Sequence, residues 1–269
     1  MEQRRYSIDD LLRVMERLRD PKHGCPWDLK QDFRSIVPST LEECYELAEA
    51  IEHDDFPHVA EELGDVLFQV IFYSQLGRER ELFSFPDVVH TLVDKLLRRH
   101  PHVFAGGAIE GVVDARIGVE AVKDSWEQIK QGERNDRRQH GLLDDVPVAL
   151  PALPRAQKLQ KRAARVGFDW PAADPVFDKL AEEVAELRAA LAAGDAPGVE
   201  EEVGDLLFTC VNLSRQLGVD AETALRRSSA KFERRFRHME AAADKAATPL
   251  STRTAEQLEA LWQQAKGLN

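Results

Sequence analysis

Apolar residues recur at steps of three and four positions over most of this 269-residue chain. Between positions 41 and 51 the apolar residues are leucine, cysteine, tyrosine, alanine and isoleucine, and positions 59 to 70 repeat the spacing with valine and leucine. This spacing puts apolar side chains on one face of an α-helix. Alternating runs of β-branched residues, which are typical of strands, are nearly absent. The pattern therefore predicts an all-α fold.

Two polar motifs predict where helices begin. Ser7 precedes Asp10 by three residues, and Thr40 precedes Glu43 by three residues. A hydroxyl followed three residues later by an acidic side chain has the spacing of a capping box. We therefore expect one helix to begin just after Ser7 and another just after Thr40.

The chain contains two copies of one sequence unit. EELGDVLF at 61–68 returns as EEVGDLLF at 201–208, and LEECYEL at 41–47 returns as AEEVAEL at 181–187. The offset is 140 residues here and 136 for the later pairs KLLRR with KFERR and WEQIK with WQQAK. Repetition at a fixed offset is typical of tandem units, so we predict two tandem helical-bundle repeats.

The boundary between the units is predicted from a polar stretch that contains glycine and ends in proline, QGERNDRRQHGLLDDVP. Such composition is typical of a linker. We predict an N-terminal helical domain at 1–130, a linker at 131–150, and a C-terminal helical domain at 151–269.

Composition and charge narrow the class of protein. The chain is 43% hydrophobic and 31% charged, with a formal net charge of -12. That charge argues against general binding to nucleic-acid polymers or to anionic membrane surfaces, because both recruit clustered cations. The chain lacks an apolar signal core and a run long enough to span a membrane. Its three scattered cysteines suit a reducing compartment, so we expect a cytoplasmic protein.

Acidic residues at helical spacing form the first candidate site. The first unit has Glu43, Glu46, Glu62 and Asp65, and the second has Glu183, Glu186, Glu202 and Asp205. A single glutamate on a helix is most often a solvated surface residue, but here the set recurs while other exposed positions drift, as Glu49 becomes Ala189. If the two acidic helices pack as an antiparallel hairpin, four carboxylates converge. Oxygen ligands alone favour Mg²⁺ first and Mn²⁺ second.

Gly64 and Gly204 lie between these acids. A glycine inside a helix costs about 1 kcal/mol relative to alanine. We expect a close approach there, either by a neighbouring helix or by a ligand phosphate.

Cations at i, i+3 and i+4 follow on a later helix of each unit. They are Lys95, Arg98 and Arg99 in the first unit and Lys231, Arg234 and Arg235 in the second. Alone they are equally consistent with a solvated basic stripe, but beside a bound metal they suit a polyphosphate. A GxxxxGK[ST] loop is absent, which excludes a P-loop NTPase.

The combination of EExxE, ExxD and a lysine followed by two arginines, present twice in an all-α chain, resembles the MazG family of nucleoside triphosphate pyrophosphohydrolases in its tandem form. The resemblance covers essentially the full length and includes GCPWD, RRHPHVF, WEQIK and VGFDW. It implies Mg²⁺-dependent hydrolysis of an NTP or dNTP to the monophosphate and pyrophosphate. It also implies a homodimer and a house-cleaning role in the nucleotide pool.

The resemblance implies roles for individual residues. The family's metal ligands fall on Glu183, Glu186, Glu202 and Asp205, and its triphosphate contacts fall on Lys231 and Arg235. Arg234 and Trp170 are further expected substrate contacts, and Glu182 is expected to orient the attacking water. The equivalent secondary site of the first unit comprises Glu43, Glu46, Glu62, Asp65, Lys95 and Arg99.

The two units differ seven residues after the aspartate, on the same helical face, where the second unit has Asn212 and the first has Phe72. An amide can contact a sugar or a phosphate, which a phenyl ring cannot. We therefore expect the main active site in the C-terminal unit. Two alternatives stay open: a phosphoribosyl-ATP pyrophosphatase-like enzyme, and a non-catalytic helical regulator that binds partner proteins through its acidic faces.

Overall fold

The computed structural model of the chain describes residues 5–113, 118, 121–122, 125–126, 129, 132–133 and 141–267. The chain divides into two compact units, Met1–Lys130 and Gln131–Asn269. Within the described residues every regular element is helical, which confirms the all-α prediction. No helix of this described part is both long and apolar enough to cross a membrane.

The first unit is built around its longest helix. Its helices are α1 (Ile8–Leu18), α2 (Val37–Glu52), α3 (Phe56–Glu79) and α4 (Phe85–Arg99). Helices α1, α2 and α4 all pack against α3. The buried core consists of Met15, Ile36, Ile71, Phe72 and Leu76.

The second unit repeats the central hairpin of the first. Its helices are α5 (Ala152–Ala164), α6 (Asp174–Ala193), α7 (Ala196–Gln216), α8 (Ala221–Lys245) and α9 (Ala255–Lys266). Helix α6 packs against α7 as α2 packs against α3, while α5 contacts α7 and α8, and α9 contacts α8. Two acidic hairpins at equivalent positions confirm the predicted tandem all-α repeat.

Both acidic hairpins turn in the same way. The turn residue is left-handed in each, Asp54 with φ 54° and Gly194 with φ 68°, a conformation open to glycine and tolerated by aspartate. The next residue, Asp55 or Asp195, caps the second helix by accepting the backbone N–H three residues later, and a proline follows two residues after each cap. Such a cap contributes about 1 kcal/mol. The matching turns therefore hold both pairs of acidic helices in the same register.

The predicted helix starts have mixed outcomes. Ser7 and Asp10 form the expected capping box at the start of α1. The prediction at Thr40 is wrong, because α2 already begins at Val37 and the Thr40 hydroxyl donates to the carbonyl of Ile36 at 2.9 Å. Pro38 explains the earlier start, since proline is pre-organised for the first helical turn and lacks an N–H that would need a cap.

The predicted linker, 131–150, is described at positions 132–133 and from 141 onward. In the latter part Val146 is buried, and Asp145 forms an ion pair with Arg162 of α5. Residues 141–150 therefore pack on the second unit. The rest of the predicted linker and much of WEQIK lie outside the described residues.

Candidate metal and nucleotide site

Three glutamates of the second unit converge where α6 packs on α7. One carboxylate oxygen from each of Glu183, Glu186 and Glu202 lies within 4.8 Å of the other two. Glu183 and Glu186 are three residues apart on α6 and share a face, and Glu202 approaches from α7. The hairpin thus brings together three of the four acids expected to converge, and we call this set the C-terminal glutamate cluster.

The first unit repeats this arrangement with Glu43, Glu46 and Glu62, the N-terminal glutamate cluster. The fourth acid predicted for each site, Asp65 or Asp205, does not belong to the set of close oxygens. Its charge nevertheless affects the pKa of a glutamate in that set. Burial raises the pKa of Glu43, and the charge of Asp65 raises it further. Asp205 adds to the shift of the Glu202 pKa in the same direction.

The electrostatics of the C-terminal glutamate cluster call for a cation. Burial raises the pKa of Glu202, and the charges of Glu186 and Glu183 raise it further. The Oε2 atoms of Glu202 and Glu62 are both buried without a hydrogen-bond partner. A buried carboxylate oxygen without a partner costs free energy, which a bound cation offsets. The donors are all carboxylate oxygens, so the residues fit the predicted Mg²⁺ or Mn²⁺.

Each cluster has a basic side chain beside its buried glutamate, and neither was predicted from the sequence. Lys179 Nζ lies 2.5 Å from Glu182 and 2.9 Å from Glu183. Its hydrogen bonds, first to Glu182 and then to Glu183, raise the pKa of Lys179 well above its ordinary value. In the first unit His58 Nε2 lies 2.6 Å from Glu62 Oε1. The sequence did contain an indication of both contacts, because Lys179 precedes Glu183 by four residues and His58 precedes Glu62 by four residues.

The predicted phosphate-binding cations of the second unit lie on α8. The Arg235 guanidinium is 5.7 Å from the ring centre of Trp262 on α9, and Phe232 packs on the same indole. No ion pair in the described part of the chain joins Lys231, Arg234 or Arg235 to the C-terminal glutamate cluster. Trp262 was not predicted as a site residue. The sequence did contain an indication, because Trp262 follows Trp126 by 136 residues, the same offset that separates the two sets of cations.

The cations of the first unit lie on α4. Lys95 is half-buried and borders an open cavity with Phe83 and Asp87. Arg99 is half-buried at the last position of the helix. Among the described residues, Lys95 forms no ion pair with the N-terminal glutamate cluster.

Asn212 and Trp170 border one pocket of the second unit, which we call the α5–α7 pocket, with a volume of about 280 Å³. Gly167, with φ 84°, turns the chain after α5 and directs the segment that ends at Trp170 back toward α7. There Arg215 donates to Asn212 Oδ1 at 2.9 Å and also pairs with Asp169. The pocket is bordered by Leu143, Leu159, Gln160, Ala163, Phe168, Asp169, Trp170, Phe208, Asn212 and Arg215.

The equivalent of Asn212 in the first unit packs in the core. Phe72 is 1% exposed and belongs to the buried cluster of that unit. Phe68 packs edge-on against its ring, and the guanidinium of Arg19 lies 5.3 Å from its centre. Asn212 therefore borders a pocket in the second unit, whereas its equivalent Phe72 packs in the core of the first unit.

The glycines inside the acidic helices face open space. Both Gly64 and Gly204 are exposed, and a Cβ built at either position has no described atom within 4 Å. The expectation that a neighbouring helix approaches them is therefore wrong for the described part of the chain. The ligand phosphate stays a prediction.

Comparison with protein families identifies the relationship. The family described as "MazG nucleotide pyrophosphohydrolase domain" matches residues 31–104 and 175–240. The chain belongs to the MazG family. The two MazG segments contain both glutamate clusters and both sets of cations, whereas Trp170 and Trp262 lie outside them.

Full-length relatives extend this similarity beyond the two MazG segments. The chain is 49% identical to a nucleoside triphosphate pyrophosphohydrolase of Escherichia coli (strain K12), over 97% of each chain. It is 43% identical to a nucleoside triphosphate pyrophosphohydrolase/pyrophosphatase MazG of Thermotoga maritima, over 97% of this chain and 96% of the relative. The tandem arrangement is therefore similar from end to end.

Proposed function

We propose that this MazG protein hydrolyses nucleoside triphosphates, NTP or dNTP, to the monophosphate and pyrophosphate, with its main active site in the C-terminal unit. The observation that carries the proposal is the C-terminal glutamate cluster with the unpartnered Oε2 of Glu202, set inside a MazG segment. The α5–α7 pocket in the same unit favours that half over the first, where Phe72 is packed in the core.

The glutamates would hold the cofactor, Mg²⁺ or Mn²⁺, through Glu183, Glu186 and Glu202, with Asp205 beside them. A bound divalent cation supplies polarisation of a phosphoryl oxygen and a lower pKa for attacking water. Glu182, held by its hydrogen bond from Lys179, would orient that water by accepting one of its protons. The charged Lys179, paired with Glu182 and Glu183, also offsets part of the negative charge of the cluster.

The leaving group would be stabilised by α8. Pyrophosphate carries several negative charges, and Lys231, Arg234 and Arg235 offer charge-assisted hydrogen bonds to its oxygens. The stacking of Arg235 on Trp262 limits the freedom of its guanidinium before substrate binds. The contact between Arg235 and Trp262 would thereby reduce the entropy cost of binding the triphosphate.

Pyrophosphate release from a panel of substrates tests the proposed function. The panel contains the common NTPs and dNTPs together with phosphoribosyl-ATP, each with Mg²⁺ and with EDTA. We expect release from NTPs or dNTPs with Mg²⁺ and none with EDTA. Release from phosphoribosyl-ATP alone would favour the other pyrophosphatase, and no release from any substrate would favour the regulator that binds partner proteins.

The physiological setting is also proposed. A protein that removes triphosphates from the nucleotide pool acts where that pool is, and its three free cysteines suit the reducing cytoplasm.

Large apolar side chains are exposed on the acidic hairpin of the second unit: Phe177, Leu191, Val203, Leu207 and Phe208. An exposed apolar face beside the open Gly204 position suits a second copy of the chain, so we propose a homodimer.

Light scattering tests the homodimer. At micromolar concentration we expect twice the 30.4 kDa of the single chain. Leu207→Glu, which puts a charge at a 55% exposed position beside Gly204, should shift the mass toward the monomer. Leu217→Glu is the matched control, an exposed leucine at the end of α7 that should leave the dimer intact. A wild-type mass of 30.4 kDa would contradict the proposal.

A further inference from the structure

The two glutamate clusters contain equivalent acids but differ in the charge beside them. Each cluster brings three carboxylate oxygens within 4.8 Å of one another. In the C-terminal glutamate cluster Lys179 Nζ lies 2.9 Å from Oε1 of Glu183, a residue that is 3% exposed. The first unit has Ser39 at the position of Lys179, at the same offset of 140 residues that relates the glutamates. One cluster therefore has a permanent positive charge beside it, and the other has a neutral hydroxyl group at that position.

The N-terminal glutamate cluster pairs with a histidine instead of a lysine. His58 Nε2 lies 2.6 Å from Glu62 Oε1. Among the residues that the structure describes, no lysine or arginine forms an ion pair with Glu43, Glu46 or Glu62. A neutral imidazole donates one N–H, so its contact with a carboxylate needs no positive charge. A lysine ammonium is charged at every physiological pH. The negative charge of the N-terminal glutamate cluster is therefore less compensated.

Glu62 indicates that the first unit also has a place for a bound cation. It is 5% exposed, and its Oε2 is buried without a hydrogen-bond partner while its Oε1 contacts His58. A buried carboxylate oxygen without a partner is costly. Burial raises the pKa of Glu43, and the charges of Asp65 and Glu46 raise it further. A divalent cation would offset both the unmet hydrogen bond and the repulsion among these acids.

Lys179 opposes metal binding by the C-terminal glutamate cluster in two ways. Its ammonium offsets one of the three negative charges, which weakens the attraction of the cluster for a divalent cation. It also contacts Glu183 Oε1 directly, so a metal ion at that oxygen must displace this contact. A second contact, to Glu182 at 2.5 Å, helps to hold the ammonium in place. The equivalent carboxylates should therefore bind a divalent cation more weakly in the second unit than in the first.

We propose that Lys179 gives the two glutamate clusters different metal affinities, so that the N-terminal glutamate cluster holds a resident divalent cation and the C-terminal glutamate cluster exchanges its cation readily. The inference rests on the proposed function for the assignment of catalysis to the second unit. A cation that is released easily suits a unit from which pyrophosphate, a strong ligand of Mg²⁺, must leave after each turnover, since product release often limits the rate of an enzyme. The cation of the first unit would stabilise the fold.

Titration of the metal-free full chain with Mn²⁺ tests the order of affinities, with free Mn²⁺ measured by electron paramagnetic resonance. We expect two classes of site with one ion each, and a Kd about ten- to a hundredfold higher for the weaker class, the range over which groups beside metal ligands change affinity. Glu62→Gln should remove the tight class, and Glu202→Gln should remove the weak class. Equal affinities, or a tight class that Glu202→Gln removes, would overturn the proposal.

Exchange of the two equivalent residues tests the cause. Lys179→Ser should lower the Kd of the weak class by about tenfold, and Ser39→Lys should raise the Kd of the tight class by about the same factor. Circular dichroism checks that both variants keep the helical fold. The matched control is His58→Gln, which keeps a hydrogen-bond donor for Glu62 and should leave both classes nearly unchanged. A weak class that is unaltered in folded Lys179→Ser would refute the role of Lys179, and so would a tight class that is unaltered in folded Ser39→Lys.

The titration contains no nucleotide, so the two proposals fail in different ways. Two classes in the expected order, with no pyrophosphate release from any NTP, would support the different affinities and refute the hydrolase. Pyrophosphate release by a protein whose two Mn²⁺ sites have equal affinity would leave the proposed function intact and refute the inference.

Discussion

Replacing Glu202 with glutamine is expected to lower the rate of pyrophosphate release by about a hundredfold or more, since even the partners of metal ligands contribute about ten- to a hundredfold. The change keeps the size of the side chain and removes the charge of the unpartnered Oε2. It also removes the repulsion from Glu186 and Glu183 that helps to raise the pKa of Glu202. In EDTA the variant should therefore melt no lower than the wild type.

The matched control is Glu62→Gln, the same change at the equivalent residue of the N-terminal glutamate cluster. It should cost much less activity, because the first unit has Phe72 packed in its core where the second has a pocket. Equal losses from both changes would mean two working sites or a shared one. A larger loss from Glu62→Gln would show that the main active site lies in the first unit, and no loss from either would contradict the proposed chemistry.

Mg²⁺ is expected to raise the thermal melting temperature relative to EDTA by roughly 5 to 10 °C when it is present at a hundredfold excess over its Kd. That excess stabilises the folded state by about 2.7 kcal/mol, and 1 kcal/mol shifts the melting temperature of a domain of this size by about 2 to 4 °C. The physical cause is relief of the repulsion within each set of close carboxylates. Mn²⁺ should act in the same direction.

Variants can assign the rise in melting temperature caused by Mg²⁺ to the individual glutamate clusters. Glu202→Gln should reduce the shift, and Glu202→Gln combined with Glu62→Gln should remove most of it. Calorimetry on the same proteins gives the number of ions bound. Identical melting temperatures with EDTA and Mg²⁺, together with no heat of binding, would eliminate the metal site and leave the clusters as acidic surfaces.

The two units share a ligand set and differ in what surrounds it. The position of Lys179 is Ser39 in the first unit, and the position of His58 is Gly198 in the second. A permanently charged lysine therefore stands beside one cluster, and a histidine stands beside the other. Arg215 and Asn212 in the α5–α7 pocket correspond to Gln75 and Phe72. The acids are identical at the matching positions of the two units, while the side chains around them differ.

Several features of the site depended on contacts between distant positions. The pairing of Gln160 with the carbonyl of Phe208 joins residues 48 positions apart, and the pairing of Arg215 with Asp169 joins residues 46 apart. Neither contact can be predicted from the spacing of residues along one helix. The stacking of Arg235 on Trp262 likewise joins two helices.

The sequence by itself determined the all-α class, the tandem repeat and the grouping of equivalent acids on one face of each acidic helix. Each of these follows from spacing along a helix of fixed period, and the hairpin turn at Asp54 or Gly194 brings equivalent acids together. Only the tertiary structure decided the start of α2 at Val37, the open surroundings of Gly64 and Gly204, and the α5–α7 pocket. The physical reason is that burial and unmet hydrogen bonds are set by packing between helices, which periodicity along one helix does not specify.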